Sequence, residues 1–115
     1  ALLGYPHRTE ANDAGFPILR TGAIASYPLI PSSVNRTFLL NANTFEGDSG
    51  GPIYLTGSGS GNERETGVIL GLMHGQRFLD EEMVMIYGTS KVRHRLGLGI
   101  VVQAAFIRET IERLP

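Results

Sequence analysis

The stretch Glu46-Gly47-Asp48-Ser49-Gly50-Gly51-Pro52 sets the terms for the rest of the chain. Glycine adopts backbone conformations that other residues resist, and proline removes a ladder donor, so this stretch has to be a tight turn. Apolar runs flank it on both sides, Thr37 to Ala42 before and Pro52 to Thr56 after. The turn therefore joins two strands. Its core, Gly47 to Pro52, arises by chance on the order of 10⁻⁷ times per position at average residue usage. Its chemistry is also specific. A serine hydroxyl beside a run of backbone N–H groups suits acyl transfer: the hydroxyl attacks a carbonyl and the N–H groups hold the oxyanion that forms.

The whole chain holds 15 glycines and 6 prolines, and outside this turn it reads as short strands punctuated by them. Leu2, Leu3 and Tyr5 form a strand ended by Pro6. His7 to Gly15 is a polar loop, and Phe16 to Leu19 a short extended piece. Gly22 to Tyr27 is a strand closed by Pro28 and Pro31. Thr37–Ala42 and Pro52–Thr56 bracket the serine turn. Gly57 to Asn62 is a hairpin tip. Thr66 to Met73 is almost continuously apolar, as in a strand buried on both faces. Gln76 to Leu98 mixes apolar and charged residues and reads as a short helical or extended insert. Leu98 to Val102 is a sixth strand. From Gln103 to Leu114, Ile107, Ile111 and Leu114 recur at helical spacing, which predicts an amphipathic helix. The fold class is all-β: a single domain over residues 1–115, built as a six-stranded antiparallel barrel closed by a C-terminal α-helix.

The serine turn resembles the nucleophile loop of chymotrypsin-like (trypsin-like) serine proteases. Leu3-Gly4-Tyr5-Pro6, Val68 to Leu72 and Gly99 to Val102 are similar to segments of bacterial trypsin-like peptidases. The resemblance implies the second, C-terminal barrel of that fold, with the N-terminal barrel absent from these residues. It makes Ser49 the nucleophile and the N–H groups of Gly47 and Ser49 the oxyanion hole. Asp48 orients the loop through a buried contact. Asn43 lies at the base of the primary pocket, a neutral residue there, and Thr44, Met73, His74, Gly75 and Gln76 line its walls. Phe45 stands where the vertebrate enzymes carry a cysteine, so packing must hold the loop. The substrate is a polypeptide, cleaved through an acyl-enzyme.

In that family the general-base histidine and its aspartate come from the first barrel. Without them a serine hydroxyl is a weak nucleophile, and the isolated barrel is expected to be inactive. His7 and His94 read as surface residues, and His74 as a cleft residue rather than a base. The alternative is a catalytically inactive, protease-like module that binds peptides along Met73 to Gln76.

The composition excludes several classes. A net charge of −1 gives no electrostatic case for nucleic acid or an anionic membrane. With 0 cysteines there is no disulfide and no thiolate metal site. The histidines lack metal-ligand spacing, so no metal and no cofactor are expected. No apolar run approaches about 18 residues, the length of a membrane span. The compartment is open; the lack of cysteines is compatible with the cytoplasm. The expected partners are the peptide substrate, the missing barrel and, through apolar surface left bare, a second copy of the chain.

Overall fold

The computed structural model describes residues 1–56 and 68–115. The expected hairpin tip at Gly57–Asn62, and Thr66 and Gly67, lie outside the described residues. Seven strands form one antiparallel sheet: β1 (Leu2–Gly4), β2 (Ile18–Arg20), β3 (Ala23–Ile24), β4 (Thr37–Asn41), β5 (Pro52–Leu55), β6 (Val68–Met85) and β7 (Gly88–Gln103). Among the described residues, one α-helix, α1 (Ala104–Glu112), follows. The strand order is β2-β1-β5-β6-β7-β4-β3.

That order has a geometric consequence. β2 and β3 stand at opposite ends of the sheet, yet only Thr21 and Gly22 lie between them in the chain. Three peptide steps, Arg20 to Ala23, span at most about 11 Å. The two edges must therefore approach each other, so the sheet curls into a half-barrel. No ladder joins β2 to β3 among the described residues, and the sheet has seven strands where six in a closed barrel were expected.

The inside of the curl is the core. Alternation on β4 sends Phe38 and Leu40 inward, with Ala42 just beyond the strand. Leu2, Ile53, Met73 and Val101 join them from β1, β5, β6 and β7, and Leu29 and Leu70 pack against the cluster. Several sequence expectations shift. The strand expected over Gly22–Tyr27 contracts to Ala23–Ile24, and the extended piece at Phe16–Leu19 becomes strand Ile18–Arg20. The described part of the run expected over Thr66–Met73, Val68–Met73, is not buried on both faces. Val68 and Ile69 are exposed, Leu70 is half-buried against the core, and Gly71 and Met73 are buried. At this end β6 behaves as a strand with one covered face.

The insert expected between Gln76 and Leu98 is extended throughout. β6 and β7 run on past the sheet as a two-stranded arm that turns at Ile86-Tyr87. The molecule is accordingly 63 Å long and only 39 × 37 Å across. Oppositely charged residues face each other across the arm: Asp80 pairs with Arg93 at 2.8 Å and Glu82 with Lys91 at 3.8 Å. His94 meets Glu81 at 3.0 Å. Lys91, Arg93 and His94 of the basic run are thus exposed but answered by acids on the facing strand, while Arg95 stands opposite Phe78. α1 covers less than its spacing suggested. It buries no residue fully, and Leu114 lies beyond its end. Among the described residues, no helix is long and apolar enough to cross a membrane.

Candidate functional site

The serine turn connects β4 to β5 at one end of the half-barrel. Its anchor is Asp48, which is 1% exposed. A buried carboxylate requires both charge and hydrogen-bond partners. Arg20 on β2 supplies a bidentate pair, Nη1 to Oδ2 at 2.7 Å and Nη2 to Oδ1 at 2.5 Å. The Phe45 N–H donates to the same Oδ2 at 2.8 Å. Arg20 Nη1 also reaches the Asn43 carbonyl at 3.1 Å, which ties the edge strand to the start of the turn. Gly4 makes room for this arrangement, since a Cβ at that position would overlap the Asp48 carboxylate. Sequence reading called for a buried contact of Asp48 and missed its partner. Arg20 lies 28 residues away, and its only local signal is a lone cation in an otherwise uncharged strand.

With Asp48 turned inward, its neighbours turn outward. Ser49 and Gly47 are exposed. Gly47 has φ +100°, which favours glycine, and a Cβ there would strike the Tyr5 carbonyl. The turn is closed by Asp48 N–H to the Phe45 carbonyl at 3.2 Å and Gly51 N–H to the Asp48 carbonyl at 3.0 Å. Gly50 and Gly51 lock onto β6 through Met73, at 2.8 and 2.9 Å. The N–H groups of Gly47 and Ser49 take part in none of these bonds and have no acceptor among the described residues. They remain as free donors beside the serine. The Ser49 hydroxyl donates to the His74 carbonyl at 3.3 Å, a long bond to a neutral acceptor.

Hollows flank the turn on both sides. One, of about 260 Å³, is lined by Thr44, Phe45, Glu46, Ser49, Met73, Gly75 and Gln76. Of the expected pocket residues, this brings together Thr44, Met73, Gly75 and Gln76. It does not include Asn43, which is exposed, or His74, which lines a neighbouring hollow with Ser49, Leu72 and Ile107. Thr44 is buried, and its hydroxyl faces Gln76 at 3.4 Å. Phe45 and Glu46 are additional wall residues. The Phe45 ring packs against His7, with ring centroids 5.1 Å apart, and the Arg95 guanidinium lies over it at 4.6 Å. Packing of this kind holds the loop without a disulfide.

The second hollow, of about 400 Å³, lies on the other side of Glu46 and is lined by His7, Arg8, Glu46 and Gly47. His7 and Arg8 occupy left-handed backbone at φ 49° and 62°. The His7 N–H donates to the Glu46 carbonyl at 2.7 Å, which holds this segment against the turn. His94 stands on the arm with Glu81. No histidine ring bonds the Ser49 hydroxyl among the described residues.

No known protein-family model matches the chain, and comparison with curated proteins and with solved structures finds no match.

Proposed function

We propose that this chain is the C-terminal barrel of a trypsin-like serine endopeptidase, carrying the nucleophile and the oxyanion hole for peptide-bond hydrolysis. One observation carries the reading. A buried Asp48–Arg20 pair holds the turn so that Ser49 is exposed beside two free N–H donors, at the mouth of a hollow. In this reading the Ser49 Oγ attacks the scissile carbonyl, and the Gly47 and Ser49 N–H groups receive the developing oxyanion. Thr44, Met73, Gly75 and Gln76 receive the side chain that precedes the bond. Asn43 and His74 then act from the rim of the pocket.

The Ser49 hydroxyl faces a backbone carbonyl rather than an imidazole. The base must therefore come from outside the described residues, and the partner barrel of the same fold is its source. The apolar groove formed by Ile69, Leu72, Ala104, Ile107 and Ile111 is a surface on which such a partner packs. Left bare, it favours self-association into a homodimer. The closed six-stranded barrel of the family corresponds here to the curled sheet, with the β2–β3 corner as its seam.

The same long Ser49–His74 bond favours a second reading, a peptide-binding module without catalysis. Fluorophosphonate labelling separates the two. Joined to a barrel that supplies histidine and aspartate, the chain forms a single adduct, on Ser49, and Ser49→Ala abolishes it. If no adduct forms with the base in place, the binding module is the correct reading.

A further inference from the structure

The β6–β7 hairpin leaves the sheet partway along its length. β5 pairs with β6 only as far as Leu72, and its loop bonds to this strand end at Met73. β4 pairs with β7 only from Leu98 to Val102. Beyond these points, Phe78–Met85 pair with Gly88–Arg95 alone. Among the described residues, the outer edge of β6 from His74 onward has no strand beside it. This bare edge begins at Ser49, whose hydroxyl meets the His74 carbonyl. A strand edge is a row of unpaired N–H and C=O groups, ready to pair with an extended chain.

The arm's register sorts its side chains. Alternation puts Phe78, Asp80 and Glu82 on one face. Their cross-strand partners are Arg95, Arg93 and Lys91. On this face the β6 side is acidic and the β7 side basic. A strand added to β6 would lie beside the acidic column. Each carboxylate has about four lone-pair sites, so its existing cation leaves room for a second.

We propose that the β6 edge beyond Gln76 is an extended docking site for a polypeptide whose alternate residues are basic. The proposal rests on Ser49 as the reactive centre, because the docked chain is the one that passes it. Every ladder in this sheet is antiparallel. An antiparallel addition to β6 runs toward Ser49, so the residues preceding the scissile bond lie along the arm. The register shifts at Met73/Gly75 and Gln76/Phe78, and the regular edge beyond them, Phe78 to Met85, spans roughly 23 Å, enough for about seven residues. Main-chain bonds supply the affinity, and Asp80 and Glu82 supply the preference for lysine or arginine.

Fluorescence anisotropy of the whole chain with labelled peptides tests this. The probes alternate lysine and valine and run from about four to about twelve residues. Affinity rises about tenfold across the series, and a glutamate–valine series shows no rise. N-methylating every second amide of the distal half removes the gain in one phase and spares it in the other. Glu82→Gln narrows the difference between the two series. A length-independent affinity, equal gains for both series, or no phase dependence overturns the proposal. So does peptide binding that fades as protein concentration rises, because a second copy then occupies the edge. Ser49 labelling is read separately. Labelled Ser49 with a flat length series removes the docking site alone, and a rising series with unreactive Ser49 removes the reactive centre alone.

Discussion

The chain contains two kinds of ion pair. At the serine turn, Arg20 and Asp48 meet with side chains 17% and 1% exposed. On the arm, Arg93 and Asp80 meet with side chains 62% and 58% exposed. Both pairs are bidentate. Their surroundings give them different work. The buried pair cannot exchange its partner for water, so it fixes one geometry and holds Ser49 outward. The exposed pair competes with water and salt, so it contributes little to stability and instead selects the register of two strands.

The largest expected effect comes from breaking the buried pair on one side. Arg20→Ala leaves the Asp48 carboxylate buried without its cation. Such changes cost about 3–5 kcal/mol, a fall in Tm on the order of 15 °C. Thermal unfolding followed by circular dichroism measures it. Replacing both partners with apolar residues, Arg20→Met with Asp48→Leu, should recover most of that loss while leaving Ser49 mispositioned. If the double variant is as unstable as the single one, the charges contribute more than this comparison allows.

Backbone fit at the turn comes next. Gly47→Ala adds a Cβ at φ +100° against the Tyr5 carbonyl. Gly4→Ala adds one against the Asp48 carboxylate. Each should cost about 1–3 kcal/mol, read from urea unfolding midpoints. An unchanged midpoint for Gly4→Ala would mean that Asp48 has a second place to go.

The smallest effects belong to the arm. Arg93→Ala should leave Tm unchanged and should raise the amide exchange rates of Phe78 to Glu82. The Arg93 guanidinium, bonded to Asp80, holds that carboxyl below its ordinary range. A depressed folded-state value means the stabilisation is present above the unfolded value of 3.8 and is lost as pH falls through the folded one. Amide exchange on the arm should therefore stay even across neutral pH, corrected for intrinsic rates, and loosen only in strong acid. Loosening already at neutral pH would contradict this.

The same contrast explains what could be read from the chain. Gly47 to Pro52, β4 and β5 were legible, because turn residues and alternating apolar positions answer to one buried face. Thr44, Met73, Gly75 and Gln76 were expected as walls through the resemblance alone, and they line one hollow. Arg20 was not, since a contact spanning 28 residues leaves no local period. The arm was not either. It has no core to face, so Leu79, Met83 and Val84 follow no burial rule, and the turn at Ile86-Tyr87 lacks the Asn-Gly signal of a tight hairpin. Its ordering principle is cross-strand charge, visible only once Asp80 and Arg93 are known to be opposite. A closed barrel was expected from strand count alone; the two-residue β2–β3 link brings the sheet's ends near each other, and no ladder joins them among the described residues.

The central claim is that Ser49 is held ready as a nucleophile and lacks only a base. Chemical rescue tests it on the chain as it stands. Sulfonyl fluoride labelling is followed residue by residue by mass spectrometry as imidazole is added. The account predicts negligible labelling without imidazole, then a rate at Ser49 that climbs with the unprotonated imidazole concentration while Ser26 and Ser90 stay unlabelled. Labelling at Ser49 no faster than at those serines, at every imidazole concentration, would contradict it.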